Sequence, residues 1–426
     1  MKITSHKYYL ILMGVLLFST KLNAQNLHFV KKQVDTLCSP YFSGRGYIDS
    51  GAYKTSIYLS NYFKNSGLKA FPLAEDYCQN FKMPVNTFPG KVYLKIDNKI
   101  LKPGIDFLVD PSSLGINAVN LNIVRADKNF FENYKSEVEH LRGEKIALVI
   151  DADEIETYKG RDLAKKINLL HPNLIIELRS GKLIWSTSRT KLKKAYVWLK
   201  KDAFPADAKV VSVEIEEKLY KKYPVRNVLG YIEGSKYPDS FIFLTAHYDH
   251  LGKMGKEVMF PGANDNASGT AMVMDAIKYF SMPEHRLQYS ICFVLFTGEE
   301  AGLVGSHHYT EKPIFPLEKI KFLINLDLMS NGQDGMMVVN GSIYPDQFEW
   351  LKKINTKYHL LKEIKKRGKA ANSDHYYFSE HDVKAYFFYL LGDYPYYHDI
   401  YDTPEKPSYA GYDGAFKLII KFMESL

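Results

Sequence analysis

The stretch Phe241-Ile-Phe-Leu-Thr-Ala-His247-Tyr-Asp249-His250 decides the reading of the chain. Residues 241–246 form a continuous apolar run, as expected of a strand buried on both faces of a parallel sheet. Open sheets of that kind place their ligands at the carboxyl ends of the strands. This strand delivers His247, Asp249 and His250 at that end. Imidazole binds zinc as the neutral ring, with its other nitrogen oriented by a second group. Asp249, two residues on along an extended chain, points to the same side as His247 and is the candidate for that orienting. A single His at a strand end is also a common structural residue, so the neighbouring strands must decide.

They repeat the pattern. Gly262-Ala-Asn-Asp265-Asn-Ala-Ser-Gly269 surrounds one carboxylate with small residues and opens a helix carrying Ala271, Met272, Val273, Ala276, Ile277 and Phe280. Its Asp or Asn can cap that helix, or Asp265 can bridge two cations. Ser290-Ile-Cys-Phe-Val-Leu-Phe296 is a second buried strand and ends in Thr297-Gly-Glu299-Glu300. Adjacent glutamates there are costly to desolvate unless cations lie nearby. Residues 321–326 lead to Asp327, and residues 384–391 lead to Asp393-Tyr-Pro-Tyr-Tyr397-His398.

His247, Asp265, Glu300, Asp327 and His398 therefore gather at one edge of one sheet. With Asp265 shared, each of two metals receives one His, one terminal carboxylate and the shared Asp. Zinc suits such mixed nitrogen and oxygen ligation, and two ions per chain are expected. Two metals ~3.5–4 Å apart acidify a shared water and polarise a carbonyl. Glu299, the carboxylate left over, is the natural general base.

The remainder sets the frame. A chain of 426 residues that is 46% hydrophobic and 24% charged excludes disordered, collagen-like and disulfide-scaffold classes. At ~150 residues per domain, two or three domains are expected. Residues 1–24 read as a secretory signal: Lys2 and Lys7, an apolar run over 8–18, then a polar stretch ending in Ala24. That run is too short for a stable anchor. The expected location is secreted or periplasmic, with no stable membrane anchor after cleavage. Losing Lys2, Lys7 and Lys21 would lower the net charge from +8 to about +5. The basic clusters Lys191-Leu-Lys-Lys194, Lys221-Lys222 and Lys365-Lys-Arg367 read as solvated faces without interleaved aromatics, and no nucleic-acid partner is expected. Three cysteines exclude a tetracysteine zinc ribbon; Cys292 reads as a buried thiol, and Cys38 and Cys78 could pair.

Residues 25–90 hold one amphipathic helix over 51–66, with Tyr53, Ile57, Tyr58, Asn61 and Tyr62 at helical spacing and Gly67 as its cap. Residues 91–222 differ in texture, with short strand-like runs at 92–96, 146–150, 174–178, 195–199 and 210–215. Residues 223–426 alternate strands and helices. The expected fold is α/β, a mixed and mainly parallel central sheet flanked by helices, with an inserted β-rich domain.

These pieces resemble the co-catalytic zinc peptidases of metallopeptidase family 28, mostly aminopeptidases. The resemblance rests on His247-Tyr-Asp-His-Leu-Gly252, Gly262–Gly269, Gly298-Glu-Glu-Ala-Gly-Leu-Val-Gly-Ser306, Asn325-Leu-Asp327, Ser373-Asp-His375 and His398 with Asp402-Thr403 behind it. It reaches Ser43-Gly-Arg-Gly46, Gly67-Leu68 and Val225-Arg-Asn-Val228. The resemblance implies His247 and Asp327 on one zinc, Glu300 and His398 on the other, Asp265 between them, Glu299 as base and Asp249 as partner of His247. Tyr397 becomes a candidate donor to the developing oxyanion, or an ordinary aromatic of a Tyr-rich loop. Asp374 is a candidate for shaping the substrate end. Residues 140–150 resemble a recurring strand of the protease-associated domain inserted in many members, placed beside the cleft.

The resulting expectation is a secreted aminopeptidase that hydrolyses N-terminal residues of peptides by a dimetal-bridged water and Glu299. The alternatives are a one-zinc glutaminyl-peptide cyclotransferase of the same fold, a carboxypeptidase or dipeptidase variant, and a non-enzymatic binding relative like the transferrin-receptor branch.

Overall fold

The computed structural model describes residues 27–141, 143–155 and 170–426. The expected export signal, residues 1–24, lies outside the described residues. Strand β1 (Cys78–Thr87) precedes a second sheet of β2 (Val92–Ile96), β3 (Lys99–Leu101), β4 (Phe107–Val109), β5 (Ile116–Arg125), β6 (Ile146–Asp151), β7 (Leu174–Arg179), β8 (Ala195–Lys200) and β9 (Val210–Ile215). The chain returns through β10 (Lys218–Ile232) and β11 (Tyr237–His247) to a hairpin of β12 (Gly252–Met254) and β13 (Val258–Phe260). It then adds β14 (Tyr289–Phe296), β15 (Ile320–Leu326), β16 (Gly335–Val339), β17 (Ile364–Lys366) and β18 (Ala385–Leu391).

The main sheet has the order β1-β10-β14-β11-β15-β18-β16-β17. Its four central strands β14, β11, β15 and β18 are parallel, so their carboxyl ends share one edge. Antiparallel β10 and β16 flank them. The apolar run on β11 alternates between two cores. Ile242, Leu244 and Ala246 pack with the helices Leu27–Leu37, Gly51–Asn65, Gly269–Phe280, Pro345–Tyr358 and Tyr412–Ser425. Phe241 and Phe243 pack on the other face with Tyr309 and Phe378, from the helices Val304–Glu311 and His375–Glu380. Burial on both faces is what allows a strand without polar alternation, each such side chain contributing ~1.5–3 kcal/mol.

The second sheet has the order β3-β2-β9-β5-β6-β7-β8-β4. Its own core includes Leu94, Val149, Ile176, Trp185 and Val213, and extends to Leu251, Met254 and Phe260 of the segment after His250. The insertion is narrower than 91–222, because β10 already pairs with β1 from Lys218 onward. The pair Lys221-Lys222 lies in that ribbon and is exposed to solvent, the solvated face its charge suggests.

The helix Gly51–Asn65 forms, but with a different buried face from the one its aromatics suggest. Ala52, Thr55, Ser56, Leu59, Ser60 and Phe63 are buried, whereas Tyr53 is 47% and Ile57 38% exposed. The hydroxyls of Thr55, Ser56 and Ser60 donate to the carbonyls of Gly51, Tyr53 and Ile57. Satisfied within the helix, they can be buried against the sheet at low cost. Gly67, at φ +76°, closes the helix: its N–H donates to Lys64 O, and Leu68 N–H to Phe63 O. All three cysteines are free and buried, Cys38 and Cys78 included. No helix of the described residues is long and apolar enough to cross a membrane.

Candidate metal centre

His247 ends β11, Asp327 follows β15, and Glu299 and Glu300 follow β14, so parallel register brings them to one edge. Asp265 comes from the turn before the helix Gly269–Phe280. The two readings of that turn are divided between neighbours: Asn266 Oδ1 accepts the Gly269 N–H at 3.0 Å and caps the helix, leaving Asp265 free to face the edge. Gly262, at φ +65°, admits the crossing, since a Cβ there would lie 2.2 Å from Asp265 O and 2.4 Å from the His250 ring.

Asp265 lies between two histidines. Its Oδ1 is 3.4 Å from His247 Nε2, and its Oδ2 is 3.1 Å from His398 Nε2. Asp327 Oδ1 is 3.3 Å from His247 Nε2, and Glu300 Oε2 is 3.1 Å from His398 Nε2. The other nitrogen of each ring faces a carbonyl: His247 Nδ1 is 3.1 Å from Asp249 O, and His398 Nδ1 is 2.8 Å from Trp185 O. A carbonyl only accepts, so Nδ1 carries the proton in both rings. Each neutral ring then turns an Nε2 lone pair towards carboxylate oxygens that also only accept. His247 Nε2 and Asp327 Oδ1 are buried without a hydrogen-bond partner among the described residues.

Such a cluster calls for positive charge, and the donor set of imidazole nitrogens and carboxylate oxygens fits bound metal. Ligand atoms of His247, Asp265 and Glu300, and of His247, Glu299 and Asp327, fall within 4.8 Å of one another. The electrostatics agree. Burial alone would raise Asp265, but His247, His398 and His250 hold its carboxyl well below the usual value. Burial also opposes ionisation of Glu300, yet His398 and His250 bring it down to about 2. The same need for positive charge would be met by a proton on His398 where no ion is bound: burial would lower its imidazole, but Glu300 and Asp265 push it up to about 11. Glu299 behaves oppositely: burial pushes its carboxyl well up, with Glu300, Asp327 and Asp374 adding to the rise against His247.

Asp249 partners His247 chiefly through its main chain. Its carboxylate stands 3.8 Å from His247 Nδ1 and accepts from Tyr47 Oη at 3.0 Å and from the Glu299 N–H at 3.2 Å. Tyr397 stacks on the His398 ring at 3.9 Å and is 43% exposed. Partial burial, with Asp265, Glu300, Asp327 and Glu299 nearby, raises its phenol and keeps it a proton donor. Asp374 has no exposed surface, and burial pushes its carboxyl up to about 7. It therefore sits within the packed interior rather than at an open substrate end.

Several residues act here that strand ends do not reveal. His250 Nδ1 donates to Glu300 Oε1 at 2.7 Å and fixes that carboxylate. Ser373 Oγ donates to Asp327 Oδ2 at 3.0 Å and accepts from Asn325 Nδ2 at 2.8 Å. Arg45, fully buried, donates to the carbonyls of Leu37, Tyr248, Pro261, Gly262 and Asp265. This buried guanidinium, which also reaches Cys38 Sγ at 3.8 Å, ties the amino-terminal segment to the turn that aims Asp265. Its only mark in the sequence is a lone Arg between two glycines.

Two histidines and two further carboxylates around a shared aspartate, at the carboxyl edge of a parallel sheet, make a candidate metal centre. Residues 227–423 match the model of peptidase family M28. It is similar to aminopeptidase YwaD of Bacillus subtilis, 31% identical over 127 residues, 29% of this chain and 26% of that protein. It is also similar to a probable leucine aminopeptidase of Trichophyton verrucosum, 29% identical over 170 residues, 37% of this chain and 44% of that protein. The alignments thus span less than half the length of these curated relatives. Among solved structures, a zinc aminopeptidase from Bacillus subtilis superposes with TM-score 0.71 at 17% identity, over 93% of this chain and 94% of that one. That coverage extends the shared fold across the second sheet.

Proposed function

We propose that the protein is a zinc-dependent aminopeptidase that removes N-terminal residues from peptides outside the cytoplasm, exported through residues 1–24. The observation that supports this reading is the shared carboxylate of Asp265, with one oxygen towards each histidine. His247 and Asp327 would hold one zinc, His398 and Glu300 the other, with Asp265 common to both. Bound zinc supplies polarisation of the scissile carbonyl and activation of water near neutral pH.

The chain's own groups do the rest. Glu299 takes the proton of the attacking water as the C–O bond forms. It then delivers that proton to the departing amine as the C–N bond breaks. Its carboxylate lies within 4.8 Å of the ligand atoms of His247 and Asp327, in reach of both halves of this shuttle. Tyr397 donates a hydrogen bond to the oxygen on which charge develops. The acidic surroundings favour a substrate that brings a positive amino terminus.

A panel of aminoacyl-arylamides, dipeptides, N-acetylated peptides and N-terminal Gln peptides, with and without chelator and added zinc, tests the reading. Chelator-sensitive, zinc-restored release of the N-terminal residue is expected. Release only from the carboxyl end, or pyroglutamate as product with one zinc per chain, overturns it.

A further inference from the structure

The two halves of the centre are held differently. His247 and Asp327 take their orienting partners, Asp249 O and Ser373 Oγ, from the segments around the main sheet. His398 takes its partner from the inserted domain. Its Nδ1 faces Trp185 O at 2.8 Å, and Trp185 N–H returns to His398 O at 3.3 Å. Two residues further on, Thr187 Oγ1 donates to the main-chain carbonyl of Glu300 at 2.6 Å. Both ligands of one proposed zinc position, and neither terminal ligand of the other, are therefore touched by one strap between β7 and β8.

The strap is itself anchored. Trp185 is buried, stacks on Phe260 at 4.7 Å, and its indole N–H donates to Val109 O at 2.7 Å. Leu183 is buried in the same core. Lys182 grips the His398 loop from the other side: its Nζ donates to Pro395 O and to Tyr397 O at 2.8 Å and pairs with Asp399 at 3.2 Å. That loop needs holding, because His398 has φ +53°, a conformation unfavourable for a residue with a side chain.

We infer that residues 182–187 of the insertion are a positioning element for the His398–Glu300 position, setting its zinc affinity while leaving the His247–Asp327 position alone. The inserted domain is then a structural part of the metal centre, beyond any role in limiting access to the cleft. This inference rests on the two-zinc reading above.

Equilibrium competition with a chromophoric chelator, on full-length wild type, Thr187→Val, Lys182→Met, the double variant and Lys182→Arg, reads the two affinities separately. Loss of an outer partner costs 10- to 100-fold in metal affinity. The double variant is expected to hold its tighter zinc as wild type does and its weaker zinc about 10- to 100-fold less tightly. Lys182→Arg restores most of the difference. Cobalt loading should show the matching change: one visible band filling as before, the second at higher cobalt. Two unchanged affinities in the double variant overturn the inference, and so does an equal loss at both positions. A wild type that binds a single zinc fails differently, by overturning the two-zinc reading.

Discussion

The carboxylate of Asp402 accepts the backbone N–H of Asp265 at 3.1 Å through Oδ2, and its Oδ1 accepts that of Asn264 at 2.8 Å. The loop that carries His398 thereby clamps the turn that aims the shared aspartate. Asp402→Asn keeps the shape but turns an amide N–H towards one of those donors. A loss of ~1.5–3 kcal/mol is expected, the scale of a hydrogen bond to a charged group. Urea unfolding checks it, and an unchanged midpoint would contradict the clamp.

Glu299→Gln should keep both zinc ions and lose turnover by ~100- to 10,000-fold, the span of general acid–base assistance. Zinc content and kcat measured on one preparation separate base from ligand. Loss of a zinc ion would instead make Glu299 a ligand beside His247 and Asp327, within whose reach it lies.

Removing metal should lower stability as well as activity, since the carboxylates and lone pairs at this edge face one another. At free zinc 100-fold above its dissociation constant, a site adds ~2.7 kcal/mol. Chelator should lower the thermal midpoint, and zinc should restore it. A midpoint indifferent to chelator would sink the prediction.

His375 supplies a pH dependence outside the ligand set. Burial, helped by Arg367, pushes its imidazole from 6.5 down to about 3. The unfolded chain therefore binds a proton that the folded chain refuses. This contribution to stability is complete above pH 6.5 and is lost as pH falls towards 3, at ~1.4 kcal/mol per unit. His375→Phe removes that loss, so wild-type stability relative to the variant should fall with pH at this slope. Urea midpoints between pH 7 and 4 test it; parallel curves would refute it.

The strands that build the site were legible because burial on both faces leaves an unbroken apolar run. His247, Glu299, Glu300 and Asp327 follow such runs directly, and their meeting needs only parallel register. Periodicity misled at Tyr53 and Ile57. Large aromatics at helical spacing mimic a core face, whereas the sheet took the smaller hydroxyl-bearing face of the same helix. Lys221-Lys222 reads as a solvated face and is exposed, because charge marks exposure; it says nothing of the strand β10 that carries the pair.

By itself the sequence determined the donor types, their strand-end spacing and the existence of an inserted sheet, because each depends on residues close together in the chain. The tertiary structure alone decided which atoms orient them. His398 finds its carbonyl at Trp185, 213 residues away, and the Arg45 guanidinium reaches Pro261 and Gly262, more than 200 residues away. No local pattern encodes such pairs, since a carbonyl exists at every residue. Only the packed fold selects which one lies 2.8 Å from the His398 ring nitrogen.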